Sequence, residues 1–210
     1  MKISTAFFTI PALLVFLGTG CLNGPDKMAR GSVVENEVTG IILTPEGPAV
    51  AARVRLYAAD AGAGAGATRE TATDSAGRFH FEGLGHGAYS VLCDQGPLLA
   101  FRDSIPVSDP SRGGKATVVL APDTLRLPGA IQAQIILKSG DDLSTVQGEV
   151  LGTPFSAHAD GSGDVSMTGM PPGRLRLRFT STLPGYKALS VSVEVAPGRT
   201  APAGALVLPY

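Results

Sequence analysis

The sequence predicts an all-β protein made of two tandem antiparallel β-sandwiches, and three observations carry that expectation. The 210 residues include 27 glycines and 16 prolines, a turn-rich composition that suits many short strands better than long helices. Apolar residues alternate with polar ones over short runs, and beyond the N-terminus no window keeps a 3.6-residue apolar period. The third observation is an internal repeat. Thr73–Val91 reads TDSAGRFHFEGLGHGAYSV, and from Ala159 the chain reads ADGSGDVSMTGMPPGRLRL, the same pattern with residues exchanged. Apolar residues are 44% of the chain, enough for two small cores at about 100–200 residues per domain.

The first domain begins with Val38, Gly40 and Ile42 on one parity, and Pro45-Glu46-Gly47-Pro48 turns the chain. Ala52, Val54 and Leu56 alternate with Arg53, Arg55 and Tyr57, which predicts a strand with one buried and one wet face. The run Ala61–Ala67 alternates Gly and Ala. It lacks the Gly-Lys-Ser/Thr ending of a phosphate loop, so it reads as a floppy connection. Arg69–Thr73 forms a short strand before the repeat block. There Asp74 caps a turn closed by Gly77, Phe79 and Phe81 point inward, and Gly83-Leu84-Gly85-His86-Gly87 makes a second corner. Tyr89, Val91 and Cys93 share the next inward parity, which makes Cys93 a small buried hydrophobe. Strands over Ala100–Val107 and Lys115–Leu120, with a turn at Asp109–Gly114, complete the unit.

The second domain follows Ala121-Pro122. Ile131, Ala133, Ile135 and Leu137 alternate, as do Val146, Gly148 and Val150, and further strands are expected over Thr153–Ala159, Leu189–Val195 and Ala203–Leu208. An offset of 86 takes Asp74 to Asp160, Gly77 to Gly163, Phe79 to Val165, Phe81 to Met167, Leu84 to Met170 and Gly87 to Gly173. Tyr89 and Val91 fall on Leu175 and Leu177, while the final strands align at an offset of 88. Turn glycines stay glycine and apolar positions stay apolar. The period is far too long for a solenoid, so these are two copies of one domain.

The motif Thr-Asp-x-x-Gly-x-Phe-x-Phe-x-Gly-Leu-x-x-Gly-x-Tyr, preceded by Val38-Thr39-Gly40, resembles the carboxypeptidase regulatory-like domain. The resemblance implies a transthyretin-like, seven-stranded antiparallel sandwich among the carbohydrate-binding-like folds, and an accessory module without catalysis. It covers most of the first domain and the second from Ala159 onward, where Leu175 replaces Tyr89. The fold-defining set is Asp74, Gly77, Phe79, Phe81, Gly83, Leu84, Gly87 and Tyr89, with Asp160, Gly163 and Gly173 in the second copy.

At the N-terminus, Met1-Lys2 precedes an apolar run from Ala6 to Leu17 that is too short to span a bilayer and fits a signal segment. Gly18-Thr19-Gly20 before Cys21 resembles the lipobox of bacterial lipoproteins, with Gly18 where Leu is usual. The expected organisation is a signal peptide over 1–20, a lipid on Cys21 opening a tether over 21–34, and sandwiches over 35–122 and 123–210. Acyl chains on Cys21 would add about 0.8 kcal/mol per buried methylene. By analogy with the enterobacterial sorting rule, Leu22 after the cysteine permits export to the outer membrane.

Chemistry-bearing motifs are sparse. Asp160-Gly161-Ser162-Gly163-Asp164 opens like a calcium loop, but Val165 and Pro171 stand where such a loop needs Gly and Glu. His80, His86 and His158 have no zinc spacing, and no Gly-x-Ser-x-Gly elbow exists. No metal, cofactor or catalytic residue is therefore expected. The net charge of −1 offers no electrostatic case for nucleic acid, which usually demands a basic face. Arg174, Arg176 and Arg178 alternate along one strand and form the sharpest surface feature, a candidate ligand-facing stripe. The expected role is a non-catalytic binding or scaffolding module at the cell envelope, held to the membrane by its lipid. Polysaccharide binding and a purely structural spacer are the alternatives.

Overall fold

The alternating segments become strands that pair into four sheets, two per sandwich. The computed structural model describes residues 36–109 and 116–210. The signal segment, Cys21, the tether and most of the Asp109–Gly114 turn lie outside the described residues. In the first sandwich the strands are β1 (Asn36–Thr44), β2 (Gly47–Pro48), β3 (Arg53–Ala58), β4 (Arg69–Ala72), β5 (Arg78–Leu84), β6 (Gly87–Gln95), β7 (Leu98–Val107), β8 (Thr117–Val119) and β9 (Asp123–Thr124). One sheet runs β4-β3-β6-β7, and the other is built on β1, flanked by β5 and β8 with β2 and β9 at its far end.

The second sandwich repeats the plan with β10 (Gly129–Ile136), β11 (Val146–Val150), β12 (Ser156–His158), β13 (Asp164–Met170), β14 (Gly173–Ser181), β15 (Leu189–Val195) and β16 (Thr200–Val207). Its sheets are β13-β10-β16 and β12-β11-β14-β15. The sequence offset is reproduced strand for strand: β5 and β6, moved by 86, land on β13 and β14. Both copies of the repeat's first strand share one alternation of exposed and buried residues.

The turns repeat at atomic level. One carboxylate oxygen of Asp74 accepts from the Ala76 and Arg78 N–H groups, both at 2.8 Å. Asp160 accepts from Ser162 and Asp164, both at 2.9 Å. Gly77 and Gly163 hold φ of 71° and 88°, a region costly for any residue with a Cβ. The inward parity holds as well: Phe79, Phe81 and Leu84 are buried in one core, and Val165, Met167 and Met170 in the other. Leu175, Leu177 and Phe179 are fully buried, each worth about 1.5–3 kcal/mol of apolar transfer.

Three expectations need correction. The sandwiches are not wholly antiparallel, because the opening strand of each pairs parallel with closing strands, β1 with β8 and β9, and β10 with β16. This pairing closes one layer of each sandwich around the strand that opens the domain. The first sandwich also has more than seven strands, since β2 and β9 pair β1. Its pairing runs past the expected boundary at 122/123: Leu125 is fully buried in the first core, and Leu99 and Arg126 exchange backbone hydrogen bonds at 2.8 and 2.9 Å. The crossover to the second sandwich therefore falls between Arg126 and β10.

Candidate functional site

Tyr57, Ser90 and Leu92 lie on the β4-β3-β6-β7 face opposite the core, where alternation predicts exposure, yet all three are buried. They are neighbours, because Tyr57 pairs with Ser90 across β3 and β6, and Leu92 pairs with Phe101 across β6 and β7. Phe101 packs against the core cluster of the second sandwich. This face is where the second sandwich docks, and the joint between them is the most organised polar feature among the described residues.

A β-bulge builds its centre. Tyr89 pairs with Ile105 and Val91 with Arg102, so Asp103 and Ser104 together oppose the single residue Ser90. Ser104 takes the left-handed region at φ 53°, the local kink that such an insertion demands. The bulge turns Asp103 toward the neighbouring domain. There it accepts a 2.7 Å bond from the Ser90 hydroxyl and a two-pronged contact from the Arg176 guanidinium, with Nη2 at 2.9 Å from Oδ1 and Nε on Oδ2. Arg176 Nη2 also donates to the Ala59 carbonyl. Burial alone would push the Asp103 carboxyl up, but hydrogen bonds from Arg176 and Ser90 outweigh it and hold it below the usual carboxylate range. The bond to Asp103 raises Arg176 in turn, against the opposing effect of burial.

A second arm comes from the Gly/Ala run. Rather than floating, it clasps the second sandwich: Gly152 N–H donates to the Ala61 carbonyl at 2.9 Å, and Ala63 N–H donates to Glu149 Oε2 at 3.0 Å. The other oxygen of Glu149 accepts from Arg178 Nε at 2.6 Å. Both contacts need a missing Cβ. A methyl at Gly62 would collide with the Glu149 carboxylate, and one at Gly152, whose φ is 72°, would sit 2.7 Å from Ser90 Cβ.

The three arginines of the expected stripe thus have different surroundings. Arg176 bridges the domains, Arg178 is paired with Glu149, and Arg174 is exposed. Asp103 and the Gly/Ala clasp went unseen in the sequence because their partners lie in the other domain. The alternation of β14 offered one signal, a row of cations whose counterions had to be somewhere.

Cys93 is 1% exposed, and burial pushes its thiol well above the ordinary range, the opposite of a reactive thiolate. His80, His86 and His158 are exposed. Strand pairing does bring Glu37 beside His80 and Glu82, with ligand atoms within 4.8 Å of one another, a grouping that sequence spacing hid. Glu37 there accepts from the Thr117 hydroxyl at 3.2 Å and lies 3.5 Å from His80 Nε2. Among the described residues no helix is long and apolar enough to cross a membrane.

No family model and no curated protein matches the chain. Among solved structures, the Bacillus anthracis TIE protein aligns over 84% of this chain at 12% identity and a TM-score of 0.34, and the aligned part is 35% of that protein's length. GBS52, the minor pilin of Streptococcus agalactiae, aligns over 83% of this chain and 95% of its own at 16% identity and a TM-score of 0.39. BcpA, the major pilin subunit of Bacillus cereus, aligns over 83% of this chain and 99% of its own at 9% identity and a TM-score of 0.32.

Proposed function

We propose that the chain is a non-catalytic structural element of the bacterial cell envelope, a two-domain spacer fixed to the membrane by a lipid on Cys21. The observation that carries this reading is the Asp103–Arg176 joint. Independent binding modules on a flexible linker keep their outer faces in water. Here the outer face of one sandwich is covered, and its bulge carboxylate and the facing arginine hold each other in a fixed geometry. A rigid unit of this kind transmits position along its length, which is what a spacer needs. The three-plus-four layering of the second sandwich, and in both sandwiches the parallel pairing of the opening strand with a closing one, are in keeping with the transthyretin-like type that the sequence resembles.

Two measurements test it. In membrane fractionation, Cys21→Ser should move the protein from the membrane to the soluble fraction, and continued retention contradicts the lipid anchor. The rotational correlation time of the soluble Cys21→Ser chain should be that of one body spanning both sandwiches. Two shorter times, one per domain, contradict the spacer.

A further inference from the structure

Between the sandwiches, beside the joint, lies an open groove of about 550 Å³, lined from one side by Arg102, Asp103 and Ser104 of β7 with Asp123 and Arg126, and from the other by Arg174, Arg176 and Ser192. Its charge is unbalanced, with four arginines against two aspartates. Arg176 is held by Asp103, and Arg102 reaches Asp123 at 3.5 Å. Arg126 and Arg174 are exposed and form no ion pair among the described residues, although Glu194 stands opposite Arg174 in the β14–β15 ladder. The two domains thus bring one guanidinium each, neither held in an ion pair, to a common groove, at a place that exists only when the joint is closed.

We propose that this groove binds an acidic polysaccharide, the carboxylates of its uronate units pairing with Arg126 and Arg174. A guanidinium presents a planar donor fork that matches a carboxylate. The hydroxyls of Ser104 and Ser192, also in the lining, supply partners for sugar hydroxyls between the charged units. Asp103 and Asp123 disfavour a more densely charged phosphate polymer. An acidic peptide adding as a strand meets the bulge at Asp103–Ser104, which interrupts a regular ladder on edge strand β7. The proposal goes beyond the spacer reading but rests on the same closed joint, since Asp103, Ser104 and Arg176 also line the groove; the polymer contacts it adds are at Arg126 and Arg174.

Titration of the purified full chain with polygalacturonate tests it, with dextran and polyglutamate as comparison polymers. Binding is expected to polygalacturonate alone, to weaken with added salt, and to weaken about tenfold or more in Arg126→Glu/Arg174→Glu. Arg69→Glu/Arg199→Glu makes the same charge change at exposed sites outside the groove and should bind as the parent does. The milder pair Arg126→Gln/Arg174→Gln, tested beside it, guards against a loss caused by misfolding. No binding by the parent, equal loss in the Arg69/Arg199 control, or unchanged binding in both groove variants overturns the proposal. Dextran binding as tight as polygalacturonate overturns the role of charge, and polyglutamate binding that depends on Arg126 and Arg174 overturns the sugar in favour of an acidic polypeptide.

Discussion

Asp103 on β7 and Arg176 on β14 meet across the two sandwiches through both carboxylate oxygens, and the bulge opposite Ser90 is what lets Asp103 reach. Side-chain exposures of 16% for Asp103 and 34% for Arg176 place the pair between a surface bridge and a buried one. Each partner has a further bond that fixes its orientation, Ser90 on one side and the Ala59 carbonyl on the other.

A double-mutant cycle between Asp103→Ala and Arg176→Ala, read by chemical denaturation, should therefore give a coupling of about 1–2 kcal/mol. Arg176→Lys should keep little of it, because an ammonium has no planar fork to serve Asp103 and Ala59 together. A coupling indistinguishable from zero would mean the contact holds nothing.

The joint should also depend on pH. Asp103 has a folded value below its unfolded one, so its contribution is complete above the unfolded value of about 3.9. It is lost as pH falls through the lower folded value. The coupling from the same cycle should be level from pH 5 to neutrality and fade only below about pH 4. Fading near pH 6 would point to a histidine instead.

The clasp makes a separate prediction. Gly152→Ala places a Cβ against Ser90 in a backbone region hostile to side chains, and should destabilise the protein by about 1–3 kcal/mol. Hydrogen exchange should rise at the Gly152 amide, which loses its hold on Ala61. Gly64→Ala, in the same run but with open space around it, should leave both quantities unchanged.

The repeat predicts matched costs. A methyl at Gly77 would meet the Ile42 carbonyl, and one at Gly163 the Ile135 carbonyl, each from a positive φ. Gly77→Ala and Gly163→Ala should each cost about 2 kcal/mol or more, each unfolding the sandwich that holds it. A neutral result at either site would break the equivalence of the two copies.

Local periodicity made the sandwiches readable. The repeat block fixed the turns and the inward parity of β5, β6, β13 and β14, because turn glycines and parity are set by neighbours in the chain. The parallel closure of β1 on β8 was invisible, since alternation gives parity without strand direction. The joint was hidden for a related reason: Tyr57 and Leu92 look like solvent-facing positions until a second domain covers them. Ala61–Ala67, low in complexity and without a hydrophobic pattern, gave no sign that its small residues serve close approach to Glu149 and Gly152. The stripe at Arg174, Arg176 and Arg178 was visible as charge, but which arginines had counterions depended on the bulge at Asp103.

Whether the two sandwiches move as one can be read from a single distance. Spin labels on Ser75→Cys and Ser166→Cys, exposed sites in the first and second sandwich, can be placed in a Cys21→Ser background where Cys93 is buried. Pulsed electron–electron resonance should give one narrow distribution in this parent and a broad one once Asp103→Ala and Arg176→Ala are added. A broad distribution in the parent, or a narrow one that survives both substitutions, would contradict the joint.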